Sequence, residues 1–479
     1  MNVKSVRIGG KLRRMRQERH LTQTQMAAEL GLSPSYLNLI ESNQRPVTVR
    51  VLLKLAERFQ VELSTLAPED EERLSSNLLE VFSDPLFDGA DVKTSDVRDL
   101  VSGLPAVAHA VVDLYEAYRR RVSVLGSHAA GEDASESGST GLPSEEITEF
   151  LQRRLNHFPQ LEEAAEALWA EHGLALHTLQ QDLIDLLSQR FAVDVEIAAS
   201  DTMRGELRRY NPLNRRLELS EMLALPSRTF QLAHQLAFLA LRNEIETIVS
   251  AGKFLTPEAD ALARSALANY FAAALLMPYG RFLAAARQTR YDINVLQHRF
   301  GVSFEQVCHR LTTLRRPGDE GVPFHLIRVD IAGNISKRFS ASGIHIARFG
   351  AACPRWNVYD AFATPGMLRV QVSKMPEGQA FFCLARTIEP TGRLSRSGGL
   401  PHRVGQLSIG LGCPIQHARD LVYSDGLNLD DPQIVTPIGV SCRTCPRDDC
   451  SDRAMPSLNQ RLEIDENRRG PSTYVRPMR

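Results

Sequence analysis

At 479 residues the chain is too long for a single hydrophobic core and suits two or three domains. With 43% hydrophobic and 24% charged residues and a formal net charge of -1, it reads as a folded globular chain with no global attraction for nucleic acid or membrane. No stretch approaches the roughly 18 apolar residues of a membrane span, and the amino terminus carries no signal-peptide run, so a cytoplasmic protein without a membrane partner is expected. Seven cysteines are too few for a disulfide scaffold in a chain of this size, so clustered ones point to metal or redox chemistry.

The first 67 residues predict short amphipathic helices. Thr22 with Gln25 three residues on forms a capping box for a helix through Leu30, and Gly31 supplies the turn. Ser33 followed by Pro34 then reads as an N-cap and first helical residue of a second helix through Ile40. Ala27, Leu30, Leu32, Leu37 and Ile40 take the inward positions, which leaves Gln23, Ser35, Tyr36, Asn38 and Leu39 for solvent or DNA. Through Arg58 there are eleven Lys or Arg against four Glu, a local positive charge suited to phosphates on an otherwise neutral chain. The stretch TQTQMAAELGLSPSYLNLIESNQRPVTVRVLLKLAERF resembles the repressor-type helix-turn-helix family. That resemblance implies that Gln23, Asn43 and Arg45 hold phosphates while Ser33, Ser35, Tyr36 and Asn38 face the groove. One such module offers little contact surface, so a homodimer on two operator half-sites is expected.

Residues 68–125 continue as a helical connector, with breaks at Pro85 and Pro105. The run GSHAAGEDASESGSTGLPSEE, residues 126–146, is Gly/Ser-rich and acidic and predicts a flexible linker. Residues 147–314 are mostly helical, with alternating stretches at 193–197 and 216–219 that suggest a small sheet. Within them, Arg228–Leu239 and Ala268–Pro278 resemble the zinc helix and following helix of peptidase-like domains found in stress and phage regulators. Zinc hydrolysis needs H-E-x-x-H, because both histidines must share a helix face and the Glu must activate the metal-bound water. Here the run is His234-Gln235-Leu236-Ala237-Phe238, and no carboxylate lies between Ala261 and Leu276 as a third ligand. The middle is therefore expected to keep a cleft without peptidase activity, with His234 a core or pocket histidine.

Residues 315–479 are expected to form the last domain, and because Gly and Pro become frequent and short β-like runs appear from Val322 onward, it is expected to be loop-rich α+β. It holds Cys442-x2-Cys445-x4-Cys450, with Cys413 upstream. Four thiolates can complete a zinc site or hold a [4Fe–4S] cluster; spacing alone leaves both open, and Pro414 and Pro446 lean toward the cluster. Cys308 and Cys383 lie singly in apolar patterns and read as buried thiols, while Cys353 is a spare ligand. Ligation is expected to order this loop-rich tail.

Helix-turn-helix, degenerate peptidase-like middle, and a tail with C-P-R-W, G-L-G-C and C-R-T-C-x4-C-x2-R-A-M-P together resemble the short-chain fatty acyl transcriptional regulator family. The fold class so implied is mainly α with α+β. The resemblance implies a non-enzymatic regulator of acetate or propionate assimilation, such as the glyoxylate or methylcitrate routes, that answers to an acyl-CoA. It also implies an iron–sulfur cluster on Cys413, Cys442, Cys445 and Cys450. An acyl-CoA needs cations for its phosphates and an aromatic face for its adenine, which makes Tyr270, Arg281, Arg348, Arg355 and Trp356 the candidate pocket residues. Two other readings are a DNA-bound redox sensor signalling through cluster oxidation, and a peptidase-like enzyme acting on a partner repressor, which the missing Glu and His disfavour.

Overall fold

The structure, a computed structural model, describes residues 12, 13, 15, 16, 19, 21–42, 45, 47, 51, 54, 55, 58, 59, 69–87, 90, 92–129, 143–348, 352–389, 405–458 and 474. The chain forms two compact units: residues 1–134, 347–350 and 441–479 make the first, and residues 135–346 and 351–440 the second. This division cuts across the linear order expected of the last third, because the cysteine tail belongs to the unit of the helix-turn-helix and the sheet to the other.

In the first unit, helices α1 (Gln23–Leu30) and α2 (Pro34–Glu41) form as their caps dictate. Thr22 and Gln25 make the reciprocal box, Ser33 Oγ accepts from the Tyr36 N–H, and Gly31 closes α1 at φ 63°, a left-handed conformation that strains any residue with a Cβ. Met26, Ala27, Leu30, Leu37 and Ile40 join Leu12, Val47, Val51, Leu55 and Phe59 in one small core, with Leu32 half-buried against it. The connector is a three-helix group of α3 (Glu69–Phe82), α4 (Thr94–Gly103) and α5 (Pro105–Ala129), packed through Leu74, Leu78, Val81, Val97, Val101, Ala108, Val112 and Tyr115. The flanks of the expected linker are helical: α5 continues to Ala129, and α6 (Pro143–Arg153) starts at a proline with Glu145 and Glu146 in its first turn. Residues 130–142 lie outside the described residues.

The second unit continues with α7 (Pro159–His172), α8 (Leu179–Phe191), β1 (Asp194–Ala198), β2 (Arg208–Asn211), β3 (Arg216–Ser220), α9 (Leu225–Ala240), α10 (Arg242–Gly252), α11 (Pro257–Leu276), α12 (Tyr279–Gln288), α13 (Ile293–Phe300) and α14 (Phe304–Leu311). The small sheet has the order β1-β3-β2, with β1 parallel and β2 antiparallel to β3. Strands β4 (His325–Asp330), β5 (Ile335–Ser340), β6 (Arg369–Lys374), β7 (Ala380–Ile388), β8 (Leu407–Pro414) and β9 (Val435–Pro437) form a six-stranded sheet of order β5-β4-β8-β7-β6-β9. One face of this sheet, with Leu326, Phe382, Leu384, Ile409, Leu411 and Cys413, joins the helical core; the other, with Ile327, Val329, Cys383 and Ala385, packs on Ile344, Trp356, Val358 and Ile438. The glycines of G-L-G-C have a packing reason. His325, Gly412 and Cys383 share one cross-strand row, and a Cβ on Gly412 would fall 2.5 Å from the His325 ring and 3.0 Å from Cys383 Sγ.

Candidate functional site

The residues expected to face the groove lie on and around the capped second helix. Ser35 and Asn38 are exposed on α2, and Tyr36 is half-buried with the Arg45 guanidinium 5.5 Å from its ring centroid. Arg45 itself is exposed. Asn43 lies outside the described residues. Gln23 is held from beneath: its Nε2 donates to Glu41 Oε2 at 2.8 Å and to Asn38 Oδ1 at 3.3 Å. Glu41 is buried and takes a bidentate pair from Arg16 at 2.7 and 3.1 Å, which raises the Arg16 pKa chiefly through that hydrogen bond. Sequence reasoning missed this hub, which ties Gln23, expected at phosphates, to Asn38, expected at the groove. Some of the basic surplus is structural, since Arg16 serves Glu41, Arg19 donates to the Phe59 carbonyl at 2.7 Å and Lys54 to the Leu30 carbonyl at 2.9 Å.

In the peptidase-like region, positions 234 and 238 of α9 face one spot, where a zinc site would have its two histidines. A guanidinium lies there. Arg208 of the edge strand β2 bonds His234 Nδ1, with its centre 6.0 Å from the Phe238 ring, and the His234 and Phe238 rings meet edge to face at 5.0 Å. Burial, and then the Arg208 charge, push the His234 pKa down to about 3, so the imidazole is neutral. Gln235 is buried beside it. A neutral histidine against a cation, with Phe at the second ligand position, has neither the donors nor the base for hydrolysis.

Of the five candidate effector residues, Tyr270, Arg281, Arg355 and Trp356 lie in the second unit and Arg348 in the first. Tyr270 is turned inward, donating to Glu162 Oε1 at 2.6 Å, and Trp356 is buried, donating to the Gly439 carbonyl at 3.0 Å, so neither offers a free face to an adenine. Exposed Arg281 lies 4.8 Å from the Trp169 ring, half-buried Arg355 gives its carbonyl to Gln371, and Arg348, in the first unit, gives its N–H to Glu80 at 2.8 Å. A small cavity on the outer sheet face, lined in part by His325, Trp356, Asn357, Gln371, Ser373 and Cys383, measures about 20 Å³, room for one water.

Cys442, Cys445 and Cys450 form one loop of the first unit, in which Cys445 is buried and the others half-buried. The Ala454 N–H points at Cys442 Sγ, 3.5 Å away, and three thiols with an amide aimed at sulfur suit a thiolate-bound group. Cys413 belongs to the second unit and is a fully buried side chain of β8, its thiol pushed well above its usual pKa by burial. Its place in the ligand set rests on the resemblance alone. Cys353, the spare ligand, is buried in the second unit with its N–H on the Val440 carbonyl. Cys308 and Cys383 are buried, and burial raises both thiols. Among the described residues, no three His, Cys, Asp or Glu side chains converge as around a single metal ion.

A capped helix-turn-helix, followed in the chain by a peptidase-like fold with Gln235 and Phe238 at the base and second-histidine positions, defines the class of a transcriptional regulator. Family models agree: a helix-turn-helix matches residues 12–66, an IrrE N-terminal-like domain residues 188–312, and the C-terminal domain of short-chain fatty acyl coenzyme A regulators residues 313–474. The chain is 42% identical to the HTH-type transcriptional regulator PrpR of Mycobacterium tuberculosis, over 96% of this chain and 93% of the relative. It is 41% identical to the HTH-type transcriptional regulator RamB of the same species, over 98% of each, and 40% identical to a propionyl-CoA carboxylase regulator of Cereibacter sphaeroides, over 97% and 98%. A solved Mycobacterium tuberculosis transcriptional regulator superposes with a TM-score of 0.66 at 42% identity, covering 70% of this chain and all of that one. The chain belongs to the short-chain fatty acyl coenzyme A regulator family. No helix among the described residues is long and apolar enough to cross a membrane.

Proposed function

We propose that this protein is a one-component cytoplasmic regulator that binds operator DNA as a homodimer and couples operator affinity to a short-chain acyl-CoA. It governs genes of acetate or propionate assimilation. The observation that carries the DNA-binding half is the capped α1–α2 pair with Ser35, Asn38 and Arg45 exposed along it. The acyl-CoA half is supported by the description of the family and by the relative named as a propionyl-CoA carboxylase regulator. Cys442, Cys445 and Cys450 hold a [4Fe–4S] cluster, with zinc as the alternative group; bound there, the cluster supplies a redox-active centre.

A second reading, in which cluster oxidation is the signal, is favoured by one contact within the first unit. Arg443, inside the cysteine loop, donates from Nε to the Ser83 carbonyl at 2.8 Å, just beyond the end of α3 of the connector. The deciding experiment titrates operator duplex against anaerobically prepared protein, with and without propionyl-CoA, before and after oxidation. A shift in affinity with propionyl-CoA at constant cluster state supports the first reading; coupling of this kind typically amounts to about 1 to 3 kcal/mol. A shift with oxidation alone supports the second, and indifference to both removes each of them. Iron content of Cys413→Ser and Cys353→Ser protein identifies the fourth ligand: loss in the first and retention in the second assigns Cys413.

A further inference from the structure

Residues 441–458 contain no helix or strand, yet the cysteine loop follows a defined course. Its centre is a side chain and not an apolar core. Arg453, 4% exposed, donates from Nη1 to the Cys442 carbonyl at 2.7 Å and to the Met455 carbonyl at 3.4 Å. From Nη2 it donates to the Cys445 carbonyl at 3.1 Å and to the Arg447 carbonyl. Its own backbone N–H reaches the Cys450 carbonyl at 3.2 Å, so one residue holds the main chain at all three cysteines. Ser457 Oγ adds a second bond to the Cys445 carbonyl at 3.1 Å, and the Cys445 N–H returns to the Ser441 carbonyl at 3.1 Å.

We propose that Arg453 is the positioning residue that folds the cysteine loop before any metal group arrives, so that the group enters a preformed loop and can leave without unfolding the tail. The metal half of this inference rests on the cofactor reading above; the loop half does not. In a loop without a core, metal-binding free energy ordinarily serves as folding free energy, and the group and the fold are lost together. Here a planar guanidinium with five donors in a rigid fork satisfies the carbonyls that metal ligation would otherwise have to organise. A lysine has the charge but only three donors on a flexible stem, and cannot span the same carbonyls. In this proposal the order of the loop comes from Arg453 and ligation adds to it, in contrast to a tail ordered by ligation itself. A loop of this kind suits reversible occupancy.

The test uses the full chain, prepared anaerobically, as wild type, Arg453→Ala and Arg453→Lys. Iron per chain, the electron paramagnetic resonance spectrum of the reduced protein and amide exchange across 441–458 are measured before and after chelator treatment. Stripped wild type should keep its loop protection within about twofold and take up iron again, whereas Arg453→Ala should exchange at least about tenfold faster and fail to hold iron. Arg453→Lys should fall between them, with an altered spectrum. Helical melting should be unchanged in both variants, which separates a loosened loop from a misfolded protein. The inference is overturned if stripped wild type exchanges as fast as Arg453→Ala, or if Arg453→Ala retains wild-type protection and iron. Wild type that takes no iron while its loop depends on Arg453 for protection would remove the cofactor reading and leave the positioning role standing.

Discussion

A bidentate Arg–Glu pair from each unit shows how the same chemistry serves different ends. In the second unit Arg310, fully buried, places Nη1 and Nη2 at 2.6 and 2.8 Å from the two oxygens of Glu162, itself 1% exposed. Its remaining donors go to the Met277 carbonyl and Thr313 Oγ1, and Tyr270 gives its hydroxyl to Glu162. The Arg310 charge holds the Glu162 carboxyl below its usual pKa against the opposing pull of burial. This pair joins α7, α11 and α14 in the interior and touches no candidate ligand residue except Tyr270. In the first unit Arg16 and Glu41 form the same fork at the edge of a small core, and Glu41 passes the constraint outward through Gln23 to the exposed Asn38. Depth decides the role: a fully desolvated pair can only lock packing, while a pair near the surface can also orient residues that meet a ligand.

The largest expected effect tests the locked pair. Glu162→Ala should cost about 3 to 5 kcal/mol of unfolding free energy, because Arg310 stays buried without its carboxylate, whereas a Glu162→Leu, Arg310→Met double variant should recover most of the loss. Denaturant titration of both decides it. A double variant no better than the single one would mean that the hydrogen bonds to Met277 and Thr313 matter more than the charge pair.

Acid should separate the two units next. His234 and His325, both in the second unit, have pKa values lowered to about 3, mainly by burial, below the usual imidazole value near 6.5. Below pH 6.5 the unfolded chain takes protons that these folded sites refuse. Their stabilisation is thus complete above that pH and falls away as pH drops toward about 3. At pH 5 the loss should be about 1 to 2 kcal/mol for each. Helical melting followed from pH 7 to 5 should show the second unit weakening first, and substituting Gln for His234 should flatten that dependence. An unchanged profile in that variant would place the acid sensitivity elsewhere.

Smaller effects belong to the helix-turn-helix. Glu41→Ala should cost about 1.5 to 3 kcal/mol of stability, the range for losing hydrogen bonds to a charged group, and should weaken operator binding beyond what that instability explains, since Gln23 loses its anchor. Arg45→Ala should weaken specific and scrambled duplex alike and lower the salt slope by about one unit. Ser35→Ala should weaken the operator selectively. Tyr36→Ala is the instructive case: with Arg45 resting on its ring, it should weaken both duplexes, and a purely specific loss would show that the Arg45 contact does not persist on DNA.

The features read correctly from sequence are those whose causes lie within a few residues of one another. Thr22 with Gln25, Gly31, and Ser33 with Pro34 dictate two capped helices through local backbone hydrogen bonds, and Gln235 and Phe238 remove hydrolysis by their side-chain chemistry alone. Cysteine spacing likewise puts Cys442, Cys445 and Cys450 in one loop without any fold. What only tertiary structure decided involves partners far apart in the chain. Glu162 meets Arg310 across 148 residues and Arg208 reaches His234 from a different element, while Tyr270 and Trp356, plausible as ligand-facing aromatics, turn inward to satisfy their own donors. Local pattern specifies caps, turns and which face is apolar. It cannot specify which buried charge finds which partner, because that choice follows from desolvation, whose cost exists only once distant segments have excluded water together.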